Sequence, residues 1–260
     1  MRLSPAQLAE YRAKGYIVLR GLIPHDQAAS LASECGRLWR EADLSEDNLR
    51  AVSRPRVEGG KQVDRLDPVI DLSPFIRDLT SDTRIIEPVE DIFDDGARLT
   101  KDKLIFKSSG VHGYTVHQDY HVWQELPVPP EFMLSVAVAI DPADSANGAV
   151  QFYPGLHSEL YTERGVPSDL FNPASGVVPR HVLEGTEPEL LPMSPGDVVI
   201  FSSLTPHESA PNRTAKPRRI LFLTYNAARY GDIYDFYYSK FRSYVRADRA
   251  AEGRPEGYFR

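Results

Sequence analysis

Two histidines and one aspartate have the side-chain types and the spacing needed to bind a metal ion. His117 and Asp119 are one residue apart, and His207 lies ninety positions (207 − 117) after His117. On a β-strand, side chains two residues apart point the same way, about 6.6 Å from each other at ~3.3 Å per residue, so this pair can converge on one ion. Two imidazoles and one carboxylate are the ligands of mononuclear non-haem iron sites, which keep coordination positions open for a co-substrate and oxygen.

The residues that follow His207 carry a further pattern. Ser209 and Arg218 lie two and eleven positions after His207. With these offsets, the chain resembles the phytanoyl-CoA dioxygenase family of iron(II)- and 2-oxoglutarate-dependent oxygenases, which also includes ectoine hydroxylase. Further segments match the family: Glu10 to Leu19, Trp123 after the His-Gln-Asp, Asn147-Gly148 with the stretch from Val150 to Ser158, and Pro195-Gly196-Asp197.

The resemblance implies a fold, a ligand set and a reaction. Fe(II) would be held by His117, Asp119 and His207, with 2-oxoglutarate and O2 completing its coordination. The reaction would hydroxylate an unactivated C–H bond of a small molecule and release succinate and CO2. The alternatives are a non-catalytic cupin-like metal- or ligand-binding protein, a related halogenase and a zinc hydrolase. Asp119 argues against the halogenase, since halogenases of this fold lack the carboxylate ligand.

The resemblance also implies which residues bind 2-oxoglutarate. Arg218 and Arg219 face opposite sides of a strand, and both faces continue with apolar residues, so periodicity does not decide which arginine points inward. The family offset selects Arg218, whose planar guanidinium suits a carboxylate. The other expected co-substrate residues are Ser209, Tyr114 and Lys107. Side chains alternate along the strand, and this alternation does not decide whether Lys107 and Lys103 face the pocket or the solvent.

The identity of the substrate is the least defined part of the sequence interpretation. Four residues that follow the His-Gln-Asp or end the last predicted strand are expected to line the substrate side: Tyr120, Trp123, Asn226 and Arg229. An unpaired cation at Arg229 would favour an acidic or strongly polar metabolite.

Composition restricts the class of protein. The chain has 260 residues with 42% hydrophobic and 26% charged residues, which is ordinary for a globular protein. Its formal net charge of −7 argues against a nucleic-acid partner, because phosphate binding requires a basic surface. The single cysteine, Cys35, suits a reducing compartment. No apolar run has the length of a signal peptide or a membrane span, so we expect a cytoplasmic protein with no membrane partner.

The pattern of elements predicts a mainly β fold with helices at its N-terminus. Helices are predicted from Ser4 to Gly15, from Asp26 to Ala42 and in two shorter segments between residues 73 and 93, whereas residues 43–70 suggest a long loop or lid. After Gly96, seven short segments have the character of strands. The resemblance implies a double-stranded β-helix, or jelly roll. We expect one domain, with residues 1–95 as a helical cover, 96–230 as the jelly-roll core and 231–260 as a C-terminal segment.

Overall fold

The computed structural model describes residues 2–161 and 176–260. Four of its α-helices lie before residue 97, one lies between residues 152 and 189, and one follows the last strand. None of the helices in these two ranges is long and apolar enough to cross a membrane. The α-helices are α1 (Pro5–Lys14), α2 (His25–Glu41), α3 (Pro74–Leu79), α4 (Thr83–Phe93), α5 (Arg180–Leu183) and α6 (Tyr234–Ala251).

The first helix begins and ends where the sequence predicts. The Ser4 hydroxyl accepts a hydrogen bond from the backbone N–H of Gln7, and the Gln7 side chain accepts one from the N–H of Ser4. This capping box satisfies two N–H groups that have no partner inside the helix. Gly15 ends the helix in the left-handed conformation, at φ 83°, which glycine adopts without steric cost.

Eleven strands in the described ranges form two antiparallel sheets. A seven-stranded sheet has the order β1-β9-β6-β11-β4-β3-β2, and a four-stranded sheet has the order β5-β10-β7-β8. The strands are β1 (Tyr16–Leu19), β2 (Ala51–Pro55), β3 (Lys61–Leu66), β4 (Ala97–Ile105), β5 (Tyr114–His117), β6 (Met133–Ala139), β7 (Val150–Phe152), β8 (Glu189–Leu190), β9 (Val198–Ser202), β10 (His207–Ser209) and β11 (Ile220–Ala227).

The two sheets pack face to face around an apolar core. Phe152 of the smaller sheet packs with Tyr16, Phe201 and Ile220 of the larger sheet. A second core cluster joins the larger sheet to helices α2 to α4, and it includes Leu31 and the buried Cys35. This arrangement is a mainly β jelly roll with N-terminal helices packed on it, which confirms the predicted fold class.

The predicted loop over residues 43–70 is wrong for residues 51–66. These residues form the hairpin β2–β3, which extends the large sheet through the pairing of Arg65 with Ile105 and Leu66 with Leu104. The sequence of the hairpin does not alternate between apolar and polar residues, because the hairpin buries charged side chains such as Asp64, which is 1% exposed. Residues 1–95 therefore contribute strands as well as helices. The single-domain organisation remains a prediction.

Two further departures concern the ends of strands. The strand predicted from Thr115 to His121 ends at His117, and Asp119 begins a 3₁₀ helix, Asp119–Trp123. The short strand β10 was not predicted. It pairs with β5 on one side and β7 on the other, and His207 lies directly opposite His117. The pairing of β5 with β10 therefore brings the two histidines together.

Replacing Gly113 by alanine tests the close approach of the chain to β10. A Cβ at this position would lie 1.7 Å from the carbonyl oxygen of Ser209, so the β5–β10 pair must move apart. We expect Gly113→Ala to lower the free energy of unfolding by about 1–3 kcal/mol or more, as overpacking does. Thermal unfolding measures this loss. Gly36→Ala on α2 is the control, because its Cβ would lie at ordinary contact distance, 3.4 Å from Nη1 of Arg40 and 3.8 Å from Nη1 of Arg219. Equal melting temperatures for the two variants would contradict the prediction.

Candidate metal and co-substrate site

The three predicted metal ligands lie together between the sheets. His117 Nε2 is 3.7 Å from Asp119 Oδ1, and His207 Nε2 is 3.9 Å from the same oxygen. One ligand atom from each residue lies within 4.8 Å of the others. Two imidazole nitrogens and a carboxylate oxygen at these separations can converge on one divalent ion.

Both imidazoles are oriented by backbone carbonyl groups. His117 Nδ1 is 2.8 Å from the carbonyl oxygen of Thr115, and His207 Nδ1 is 2.9 Å from that of Thr205. When Nδ1 carries the proton and donates it to the carbonyl, the lone pair of Nε2 faces the site, as metal binding requires. Burial lowers the pKa of both histidines, which favours the neutral, metal-binding imidazole.

Asp119 is held by a serine of the large sheet. The Ser135 hydroxyl donates a 2.9 Å hydrogen bond to Asp119 Oδ2, on the oxygen opposite the one that faces the histidines. Burial raises the pKa of Asp119, but the neighbouring His207 and the Lys103 cation outweigh burial and hold this pKa below its ordinary value. The carboxylate is therefore ionised and has a fixed orientation.

We expect Ser135→Ala to weaken metal binding by about 10- to 100-fold, the usual effect of removing a group that orients a ligand. The affinity for Fe(II) or Co(II), measured by anaerobic titration, checks this value. Ser239→Ala, which removes an exposed hydroxyl of α6, serves as the control. An unchanged metal affinity in Ser135→Ala would mean that Asp119 does not need this hydrogen bond.

Arg218 is buried at the cavity that the three metal ligands line. It is 2% exposed, and its Nε and Nη1 have no hydrogen-bond partner within the described ranges. Tyr114 and Ser209 line the same cavity. Burial lowers the pKa of Arg218 to about 10, so the guanidinium is still charged at neutral pH. A buried guanidinium with free donors is suited to an anionic ligand.

Two further basic residues, Lys107 and Arg54, lie close to Arg218. Lys107 is fully buried, and its Nζ donates to Ser209 Oγ at 2.8 Å and to the Gly148 carbonyl at 3.1 Å. Burial, followed by the charges of Arg218 and Arg54, lowers the pKa of Lys107 to about 6. The Arg54 guanidinium lies 3.5 Å from the ring centroid of Tyr114, in a cation–π contact. The hairpin β2–β3 thus supports the wall that carries Tyr114.

Arg219 lies on the other face of the strand. Its guanidinium makes two hydrogen bonds to the carboxylate of Asp141, through Nε at 2.8 Å and Nη2 at 2.7 Å, and a third to the carbonyl of Ala32 at 2.7 Å. All these partners lie outside the cavity. Of the two adjacent arginines, Arg218 is therefore the one directed toward the metal ligands.

The four residues expected on the substrate side do not line this cavity. Tyr120 and Trp123 pack against α6, and Asn226 is bonded to Thr100 and to the carbonyl of Gly231. Arg229 is ion-paired with Asp95 at 2.8 Å, with about half of its side chain exposed. The expectation of an unpaired cation at Arg229 is wrong, because this ion pair already neutralises it.

Several residues of the site were not identified from the sequence. Ser135 is the one polar residue in the buried strand Met133–Ala139. A polar residue at such a position could have predicted a side chain that belongs to the site. Phe222 of β11 was not identified either; it lies opposite Lys103 of β4, whose orientation the sequence left open, and both residues line the cavity. No sequence signal identified Arg54, because its segment was interpreted as a loop.

Comparison with known proteins agrees with this geometry. The family model described as phytanoyl-CoA dioxygenase matches residues 11–220. A methylphosphonate hydroxylase of Gimesia maris is 30% identical over 250 residues, which cover 95% of this chain and 90% of the relative. A 2-aminoethylphosphonate dioxygenase of an uncultured bacterium is 23% identical, over 87% of this chain and 82% of the relative.

The fold is shared with a solved structure of EctD from Sphingopyxis alaskensis with 2-oxoglutarate and 5-hydroxyectoine. The TM-score is 0.73 at 23% identity, and the match covers 87% of this chain and 77% of that structure. The jelly roll and the family match define an iron(II)- and 2-oxoglutarate-dependent dioxygenase. The chain belongs to the phytanoyl-CoA dioxygenase family.

Proposed function

We propose that this dioxygenase hydroxylates a short phosphonate or a similar small oxyanion. In this proposal His117, Asp119 and His207 hold Fe(II), and Arg218 binds 2-oxoglutarate with the help of Ser209, Tyr114 and Lys107. One observation supports the site above all others. The three ligand atoms and the buried guanidinium of Arg218, which has free donors, belong to the same cavity.

The residues of the chain fit the iron and its co-substrate in three respects. The two histidines present neutral nitrogens, Asp119 supplies a negative charge, and Arg218 offers a planar fork for a carboxylate. The bound iron, 2-oxoglutarate and O2 supply the oxidation itself, with succinate and CO2 as the products of the co-substrate. The protein orients these groups, and the apolar walls formed by Ile105, Val150 and Phe222 limit the access of water.

The substrate class rests on the relatives and on the charge of the cavity. The two relatives described above act, by their names, on methylphosphonate and 2-aminoethylphosphonate, and the first covers nearly the whole chain. In this proposal Arg218 is engaged by 2-oxoglutarate, and the remaining cation that lines the cavity, Lys103, favours an anionic substrate over a neutral one. A small oxyanion satisfies both observations.

The zinc hydrolase is less consistent with the site. Such an enzyme needs a general base beside the metal, and Glu208 is the carboxylate next to His207 that also lines the cavity. Its Oε1 accepts hydrogen bonds from Gln151 at 2.7 Å and from the Tyr153 hydroxyl at 2.6 Å. These two hydrogen bonds occupy the oxygen that a general base would need. A hydrolase would also leave the buried Arg218 without a role.

A coupled assay tests the proposed function. Purified protein with Fe(II), 2-oxoglutarate and O2 is incubated with methylphosphonate or 2-aminoethylphosphonate, and succinate and the hydroxylated product are quantified. We expect succinate and hydroxylated product in equal amounts. Iron and 2-oxoglutarate binding without turnover of any small anion would favour the non-catalytic alternative. Chlorinated product in the presence of chloride would favour the halogenase.

We further propose that the enzyme acts in the cytoplasm on a freely diffusing metabolite. The single cysteine, Cys35, is unpaired and buried on α2, which suits a reducing compartment. Fractionation of the native organism, followed by detection of the protein with an antibody, tests this location.

A further inference from the structure

Lys103 is a partly buried cation beside the metal ligands that the co-substrate does not account for. It lies on β4 opposite Phe222 of β11 and lines the cavity with His117, Asp119 and His207. Within residues 2–161 and 176–260, its ammonium group makes no hydrogen bond or ion pair. Its Nζ lies 4.9 Å from the ring centroid of Phe222.

The other lysines on this side of the strand have partners. Lys101 is 3.1 Å from Asp67 Oδ2 and donates to the Tyr237 hydroxyl at 2.5 Å. Lys107, just beyond the end of β4, donates to Ser209 and to the carbonyl of Gly148. The lack of a partner is therefore specific to Lys103, the lysine nearest the metal ligands.

Even partial burial of an ammonium group without a counter-ion is unfavourable, because the charge loses part of its hydration. Burial and the charge of Lys101 lower the pKa of Lys103 to about 8, with Asp119 acting in the opposite direction. Asp119 cannot serve as a dedicated partner, because in the proposed function its charge is shared with the iron. The charge of Lys103 would be compensated fully only when an additional anion enters the cavity.

The co-substrate does not supply that anion. The distal carboxylate of 2-oxoglutarate would be bound by the free N–H donors of Arg218 and by the hydroxyl of Ser209. The other carboxylate is expected to bind the iron in this class of enzyme. The remaining anion is the substrate. We propose that Lys103 binds the anionic group of the substrate beside the metal and thereby selects small oxyanions. This inference rests on the proposed function and assigns one residue to substrate recognition.

The position of Lys103 also restricts the size of the substrate. Because Lys103 and the three metal ligands line one cavity, the anionic group and the C–H bond to be oxidised must both fit within it. The carbon that reacts is therefore close to the anionic group, as in methylphosphonate. A long acyl chain whose charge is remote from the reacting carbon does not meet this requirement.

Substrate binding by Lys103→Gln tests the proposal without relying on turnover. The protein is loaded anaerobically with Fe(II) and 2-oxoglutarate, and methylphosphonate, 2-aminoethylphosphonate and acetate are titrated calorimetrically. We expect the dissociation constant of the best-bound anion to rise about 10- to 100-fold, the effect of losing one charge-assisted hydrogen bond. The dissociation constant of 2-oxoglutarate should be unchanged. Lys216→Gln, at an exposed lysine, is the matched control.

Two further variants separate charge from packing. Lys103→Arg keeps the positive charge and should recover part of the anion affinity. Lys103→Met keeps an unbranched apolar stem of similar length, and it should bind anions as weakly as Lys103→Gln if the charge is what matters. Thermal unfolding of each variant shows whether it is folded, and Lys103→Met replaces Lys103→Gln in the titrations if the latter does not fold.

Different failures have different meanings. If Lys103→Gln weakens 2-oxoglutarate but not the anion, Lys103 serves the co-substrate and the inference is wrong. It is also wrong if anion affinity is unchanged, or if none of the three anions binds to the loaded wild-type protein. If the wild-type protein binds neither Fe(II) nor 2-oxoglutarate, the proposed function itself fails.

Discussion

The His207→Ala variant is expected to lose iron and all turnover. His207 contributes one of the two neutral nitrogens of the site, and its Nε2 lies 3.9 Å from the Asp119 carboxylate that would share the ion. Two remaining ligands, His117 and Asp119, cannot form the three-ligand face on which this chemistry depends. The alanine also leaves a cavity between Phe152 and Phe201, whose rings pack against the imidazole.

Metal-dependent stability measures this loss separately from activity. At a metal concentration of 100 times the dissociation constant, binding stabilises the wild-type protein by about 2.7 kcal/mol. Co(II) should therefore raise the melting temperature of the wild type and leave that of His207→Ala unchanged. His181→Ala, at an exposed histidine, should respond like the wild type. Retention of one tightly bound iron per chain in His207→Ala would remove the basis of the assignment.

The grouping of His117, Asp119 and His207 was predictable because two of these residues form a short His-x-Asp motif. Residues this close in sequence reach the same place even though the strand ends at His117 and Asp119 begins a 3₁₀ helix. The partner His207 was selected by its offset from Ser209 and Arg218, not by any local pattern. The structure places His117 and His207 opposite each other on neighbouring strands, a pairing that no property of either segment alone could specify.

The hairpin β2–β3 was missed for a physical reason. Strands are recognised by alternation of apolar and polar residues, which assumes that charged side chains face the solvent. In and just after this hairpin, charged side chains are turned inward. Arg65 lies 3.6 Å from Asp67, and Lys101 forms a second ion pair with Asp67. Charges that compensate one another inside the protein remove the alternation.

The substrate side was the least predictable part for a related reason. Trp123 follows the metal-binding pair in the sequence, yet the 3₁₀ helix that begins at Asp119 turns its indole toward α6 and Met133. Helix α6 itself was not predicted, so its effect on the neighbouring residues could not be anticipated. Lys103 is fixed instead by its register with Phe222, which is a property of the assembled sheet.

The Arg218→Ala variant is expected to show the second largest effect, a loss of affinity for 2-oxoglutarate. Loss of one partner of a buried charge pair typically costs about 3–5 kcal/mol, which corresponds to roughly a hundredfold to a thousandfold or more in the dissociation constant. We therefore expect Arg218→Ala to raise the KM for 2-oxoglutarate by at least a hundredfold and to leave Fe(II) affinity nearly unchanged. Arg218→Lys keeps the charge but not the planar fork, so it should recover only part of the affinity.

The neighbouring arginine provides a matched control, because the same change one residue away removes a different interaction. Arg219→Ala breaks the hydrogen-bonded ion pair with Asp141 and the bond to the Ala32 carbonyl, all outside the cavity. It should lower the melting temperature and leave the KM for 2-oxoglutarate at the wild-type value. The two variants are compared by anaerobic titration of 2-oxoglutarate into the Fe(II)-loaded protein and by thermal unfolding. If Arg219→Ala lost co-substrate affinity and Arg218→Ala kept it, Arg218 could not be the anchor, and the strand would present the opposite face to the cavity in solution.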